Sequence, residues 1–359
     1  MISVVVFASC DNDLEITADW KDVPVVYGIL NAQDSVHYVK LNKAFLGQGD
    51  VMSMAQQYDS IYYNEQSTGL RLIEYRSIGG QYQETKSIEM TPTDEFVKPD
   101  GLFSAPNQII YKTDESIDNQ RLYSAQVYDK NLDAVIASNL IPIQVLSPLQ
   151  IIKPNPASAL NLVPNGNYPI RVEWQPVDGA ALYELNIRFH YVEQQIADLS
   201  DTAHKYVDWV FPYRLPTSSI LSESISLDAE QFLNFLAVSI DENPNVYRQV
   251  KGMNDSQGFS GLSITHSCLD ITLLAAAQNL STYILLNQNS NSIVIDRPEY
   301  SNIDNGIGIF SSRSYDFISN VKLNNLSNDE IAFNEITRHL NFAYFRLGDE
   351  DQIDTLYVN

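Results

Sequence analysis

The chain has 359 residues, 44% of them hydrophobic, with 14 Phe and 21 Tyr. That is enough to bury a sizeable core in two or three domains, and it argues against a disordered chain. The 45 acidic and 22 basic side chains leave a net charge of −23, which argues against nucleic acid or an anionic membrane surface as a partner.

The first element is the apolar run Ile2–Ser9. It is far shorter than the roughly 20 residues that span a bilayer, but it has the length of a signal-peptide core. Phe7-Ala8-Ser9-Cys10 resembles a bacterial lipobox: apolar, small, small, cysteine. The lipobox family prefers Leu where Phe7 stands, and no Lys or Arg precedes Cys10. A start site further upstream would supply the missing charge. The alternative is a buried first strand with Cys10 as a small core residue. Asp11, Asp13 and Glu15 follow, an acidic stretch similar to the surface-export signal of Bacteroidota lipoproteins. Acylation of Cys10 would leave Cys268 as the other cysteine, with no disulfide. The expected organisation is a leader and tether over 1–20, an N-terminal β-sandwich over 21–148, and a second domain over 149–359.

From Trp20 to Ser147 the pattern is β. VPVVYGILN and SVHYVKLNKAF are strand-like and flank the turn at Ala32-Gln33-Asp34. VMSMAQQY suggests a helical turn. LRLIEYRSI and QYQETKSIEM flank Gly79-Gly80, a two-residue hairpin signal. Residues 103–120 read as a long loop, and RLYSAQVYD and DAVIASNLIPIQVL as further strands. SPLQIIKPNPASALNLVPNGN, with three prolines and Asn-Gly, marks the domain boundary.

The clearest period-two pattern follows. Ile170, Val172 and Trp174 alternate with polar residues; so do Tyr183, Leu185, Ile187, Phe189 and Tyr191 after the Asp178-Gly179 turn. Half-buried antiparallel strands are predicted, and the Trp-then-Tyr pair resembles the B–C hairpin of a fibronectin type III module. HKYVDWVFPYRL and SSILSESISL continue as strands. Phe232, Phe235, Leu236 and Ile240 then fall at helical spacing behind Asp228 as N-cap. Residues 243–261 read as a mobile loop, CLDITLLAA as a strand and QNLSTYILLNQ as a short helix. Ser327-Asn328-Asp329-Glu330 is a capping box that opens a helix through Leu340. The fold class is mainly β: two β-sandwich-like domains, the second fibronectin type III-like with inserted and appended helices.

Chemistry-bearing motifs are sparse. His37, His190, His204, His266 and His339 are scattered, with His266-x-Cys268 as one weak pair, so no metal and no cofactor are expected. His190 falls on a polar strand face, where a solvated side chain is the expectation. GDEDQID, residues 348–354, lacks the Gly and closing Glu of a calcium loop. No G-x-S-x-G elbow or phosphate loop appears, so no catalytic residue is assigned. Tyr58, Tyr62 and Tyr63 either stack on sugars or cover a sheet face. In RPEYSNIDNGIGIFSSRSYDF, Asn305-Gly306 permits a positive-φ turn and Gly308 clears space for a passing backbone, with Ile307, Ile309 and Phe310 supplying burial. Tyr300, Asn302 and Arg313 are the candidate ligand-loop residues; the alternative is a specialised structural corner.

The acidic stretch after Cys10, VPVVYGILN with VHYVKLNKAF, LDITLLAAAQNLSTYIL and PEYSNIDNGIGIFSSR together resemble a Bacteroidota surface lipoprotein family carrying a domain of unknown function. The resemblance implies genes near TonB-dependent outer-membrane receptors and supplies no catalytic residues. Asp34-Ser35-Val36, Asp59-Ser60-Ile61, Asp201-Thr202-Ala203 and Asp354-Thr355-Leu356 are similar to the O-glycosylation site of that phylum. The expected function is a non-catalytic lipoprotein, lipid-anchored at the outer membrane, facing the surface or the periplasm. It would act as a binding or accessory module beside a TonB-dependent receptor, with the ligand unknown. The alternatives are a fimbrial subunit that donates a strand such as DTLYVN, and a polysaccharide hydrolase.

Overall fold

The computed structural model describes residues 21–46, 51–97, 101, 107–155, 157–162, 170–198, 200–217, 221–251, 265–288, 300–347 and 353–357. Cys10, the acidic tether and most of GDEDQID lie outside the described residues, as do 252–261 of the expected loop.

The protein is mainly β, with packed sheets that do not close into a barrel. The first half contains β1 (Lys21–Leu30), β2 (His37–Leu46), α1 (Val51–Ala55), α2 (Tyr58–Ile61), β3 (Thr68–Ile78), β4 (Gln81–Glu89) and β5 (Thr91–Val97). It continues with β6 (Asn107–Thr113), β7 (Leu122–Asp129), β8 (Ala134–Asn139) and β9 (Ile143–Gln144). The second half begins with β10 (Ile151–Lys153), β11 (Ala159–Leu160), β12 (Ile170–Trp174), β13 (Ala180–Gln195), β14 (Thr202–Val210), β15 (Glu223–Leu227) and α3 (Ala229–Ser239). After these come β16 (Val246–Val250), β17 (Thr265–Ala277), α4 (Gln278–Gln288), β18 (Ile303–Asp304), β19 (Ile307–Asn324), α5 (Asn325–Phe333), β20 (Tyr344–Leu347) and β21 (Ile353–Tyr357).

One ten-stranded sheet runs through both halves in the order β14-β13-β17-β19-β1-β2-β6-β5, with β11 beside β19 and β16 beside β13. A six-stranded sheet, β18-β8-β7-β3-β4 with β9 beside β7, combines five strands of the first half with β18 of the second, and a three-stranded sheet, β10-β12-β15, belongs to the second half. Alternation explains the faces. Val26 and Leu30 of β1 and Val39 and Leu41 of β2 point into a core shared with Leu70, Leu72 and Val127. Leu185, Ile187 and Phe189 of β13 enter a second core with Trp174, Phe232 and Leu273.

β19 joins the two cores. Its first residues pair parallel to β1, Val25↔Ile307 through Leu30↔Ser312, and its remainder pairs antiparallel to β17. Phe310 and Ile303 lie in the first core, whereas Val321 and Leu323 lie in the second. The proline-rich segment near 148 is also no free linker, because Leu149, Ile151 and Leu162 belong to the second core.

Several expectations change. The loop expected over 103–120 contains β6, which pairs with β2 and β5. The loop expected over 243–261 contains β16, paired with β13. β12 and β13 do not form a hairpin: they lie in facing sheets, where Trp174 and Tyr183 meet edge-on at 5.1 Å between ring centroids. The Tyr183 hydroxyl accepts a 3.0 Å hydrogen bond from the Val177 amide, which shapes the crossing. Helix α5 starts earlier than the capping box implied, because Asn324 is the N-cap and accepts from the Ser327 amide. The helix ends at Phe333, and Arg338–Leu340 form a separate 3-10 turn. Ile307 is 41% exposed and does not supply the burial expected of it. The expected donor segment DTLYVN carries β21, which pairs within the chain with β20.

Candidate functional site

β14 and α3 together form a surface concavity. β14 is an edge strand of the large sheet, and its Val207 and Trp209 pack toward the second core. After Val210 the chain is held against β13: the Phe211 amide donates to Leu185 O, and Arg214 and Tyr183 exchange both backbone bonds. Helix α3 is fixed by Asp228, whose carboxylate accepts from the Glu230 amide at 2.9 Å. It buries Ala229, Phe232, Leu233 and Leu236. Gln231, Asn234, Phe235 and Val238 fall at i, i+3, i+4 and i+7, so they share the flanking face.

The groove between these elements has a volume of about 590 Å³. Its aromatic wall is Trp209, Phe211 and Phe235, with Pro212 beside them. Trp209 lies 4.4 Å from Phe211 and 5.4 Å from Phe235 between centroids, nearly parallel to the latter at 13°. Phe232 supports Trp209 from the core side at 5.8 Å. The polar wall is Gln231, Asn234 and Ser239. Val238, 87% exposed, completes the lining, which among the described residues contains no charged side chain.

A second cluster sits on the polar face of the same sheet. Arg188 makes a bidentate pair with Asp208 at 2.7 and 2.9 Å and lies 3.9 Å over the Tyr206 ring. The Arg188 hydrogen bonds hold the Asp208 carboxyl below the usual carboxylate range. His190 Nε2 lies 2.7 Å from Asp270 Oδ2, and Asp270 Oδ1 accepts from the Asn320 amide. His190 is therefore paired and partly buried rather than simply solvated. The His190 ring also packs against Tyr206 at 6.3 Å between centroids, and its pair with Asp270 ties β13 to β17. Among the described residues no cluster of three or more His, Cys, Asp or Glu is placed to hold a metal ion.

The residues expected to form a ligand loop have separate partners. Asn302 is buried; its Nδ2 donates to Phe310 O at 2.7 Å and its Oδ1 accepts from the Phe310 amide at 2.9 Å. That exchange closes the Ile303–Gly308 turn and engages both the nitrogen and the oxygen of the Asn302 amide. The Tyr300 hydroxyl lies 2.9 Å from Asn279 Oδ1 at the start of α4, and its phenol is pushed up by burial. Arg313 lies 6.0 Å over Tyr315, with its Nε buried and without a hydrogen-bond partner. Of the tyrosine trio, Tyr62 is buried and Tyr63 lies under the Lys43 ammonium at 5.0 Å, leaving Tyr58 the most exposed. Ser60 is buried too, so its triplet offers no accessible hydroxyl, whereas Ser35 and Thr202 are exposed. Cys268 is fully buried, and burial pushes its thiol far up.

Sequence reasoning missed the groove. Phe235 reads as one more core residue of an amphipathic helix, and Trp209 as one more strand residue. The available signal was the dense aromatic run Trp209-Val-Phe211-Pro212, where a proline ends the strand. No protein-family model matches the chain, and no curated protein matches it either.

Proposed function

We propose that the chain is a non-catalytic binding module of the cell envelope. The observation that carries this reading is the uncharged aromatic groove between β14 and α3, a concavity of ligand-binding size. The reading places the module at the outer membrane through an acylated Cys10, beside a TonB-dependent receptor. Its support is the Phe7-Ala8-Ser9-Cys10 sequence with the acidic stretch behind it. Stable anchoring by this route needs more than one acyl chain, as bacterial lipoproteins carry. Among the described residues no helix is long and apolar enough to cross a membrane. The second half reads as fibronectin type III-like because three strands, β10-β12-β15, face the β14-β13-β17-β19 part of the large sheet.

The test is expression of the full-length gene in a Bacteroidota host with a clickable fatty acid. The reading expects label on the wild-type protein, none on Cys10→Ala, accumulation of the unprocessed form under globomycin, and recovery of a TonB-dependent receptor on mild cross-linking. An unlabelled protein that keeps its leader would overturn the anchoring.

A further inference from the structure

The groove's two walls differ in chemistry, and that difference selects a ligand. We propose that the groove takes a neutral oligosaccharide; the inference rests on the binding-module reading and names the ligand class of the same site. A pyranose ring has a face of C–H groups and a rim of hydroxyls. Trp209, Phe211 and Phe235 supply aromatic surface for the C–H face. Gln231 and Asn234 supply amides, which both donate and accept and so match hydroxyls that do both. The Asn234 Nδ2 donates to Glu230 O at 2.9 Å, which fixes the amide and leaves its oxygen outside that bond. A purely apolar peptide side chain seated here would strip water from these amides without replacing the lost hydrogen bonds. Charge decides the rest. Among the described residues the lining carries no cation to hold a carboxylate or sulfate, and the chain's net charge of −23 opposes anionic glycans.

The test uses fluorescence and calorimetry on the whole chain. Of three tryptophans, Trp174 is fully buried, Trp209 lines the groove and Trp20 lies outside the described residues, so in a Trp20→Phe background Trp209 reports occupancy. The titrants are cellohexaose, maltohexaose, xylohexaose and laminarihexaose, with hexagalacturonate as the anionic control. At least one neutral hexaose is expected to give a saturable emission change, with affinity about tenfold or more above hexagalacturonate. Trp209→Phe should abolish the emission change. Gln231→Ala and Asn234→Ala, at exposed helix positions, should each weaken calorimetric binding about five- to tenfold with unchanged melting temperature. Val238→Glu, at a position already 87% exposed, should weaken it without unfolding the chain. The proposal is overturned if no neutral hexaose binds, if hexagalacturonate binds as well, or if binding ignores Gln231→Ala, Asn234→Ala and Val238→Glu. Failure here with Cys10 acylated and the receptor recovered removes only the ligand class. Failure of acylation with hexaose binding intact removes only the membrane anchoring.

Discussion

At the scale of single residues, the β1–β19 seam depends on a missing side chain. Gly308 has φ +119°, and a Cβ there would stand 2.0 Å from the Val26 carbonyl oxygen. Backbone cannot yield as a flexible side chain would. Gly308→Ala should therefore cost about 3 kcal/mol or more. Gly79 provides the control: its φ is +59° but nothing lies within 4 Å of its Cβ position. Gly79→Ala should cost only about 1–2 kcal/mol, the strain of the left-handed region alone. Urea denaturation of both variants checks the contrast, and equal losses would contradict the seam's geometry. His37 gives a residue-scale pH effect. It is 3% exposed, its Nε2 lacks a partner, and burial lowers its pKa below 6.5 while the Asp34 charge partly opposes. The unfolded chain therefore binds more proton than the native one below pH 6.5. The contribution of His37 is full above pH 6.5 and is lost as pH falls from there through the lower native value. Unfolding free energy measured across that window should fall less steeply for His37→Gln, which cannot titrate; parallel slopes would rule the effect out.

At the scale of elements, legibility followed local chemistry. The Asp228 cap, the Gly79-Gly80 hairpin, the alternating β13 face and the need for glycine at 308 are set by neighbours within a few residues, and all were readable. β6 was not, because NQIIYKT has a short apolar run and owes its strand state to pairing with β2 and β5. β5 contains Pro92 and tolerates it as an edge strand. The start of α5 was misjudged for a similar reason. Ser327 looked like the cap, but its hydroxyl oxygen accepts from the distant Leu162 amide at 2.7 Å while Asn324 caps the helix. The groove lay deeper still, since it exists only where residues 209–212 meet residues 231–239. The cap of α3 offers an element-scale prediction. Asp228→Ala removes the acceptor for the Glu230 amide and should cost about 1 kcal/mol of stability. Because α3 forms one groove wall, the same variant should also shift Trp209 emission before global unfolding. An unchanged urea midpoint would contradict the cap's role.

At the scale of the whole molecule, the shared strand decides how the chain unfolds. A boundary near residue 148 divides the sequence cleanly, yet β1 has β19 as its parallel neighbour, and the first core contains Ile303 and Phe310. Phe310 is fully buried, and Asn302 clamps its backbone from both sides. A fragment ending at 148 would lose that ring, lose Ile303, and expose the backbone edge of β1. Removing a buried Phe alone costs about 3–5 kcal/mol, a large fraction of the roughly 5–15 kcal/mol that stabilises a domain. Fragment 21–148 should therefore lack a cooperative melt, and the whole chain should unfold in one transition that carries both cores. Cys268, buried in the second core, supplies the probe. In a Cys10→Ser background its thiol should stay silent toward a disulfide reagent until the transition, because neither water nor reagent reaches it. Its labelling midpoint should coincide with the loss of strand circular dichroism from both halves. Two separated midpoints, or a fragment 21–148 that melts cooperatively by itself, would show that β19 decorates two independent domains instead of joining them.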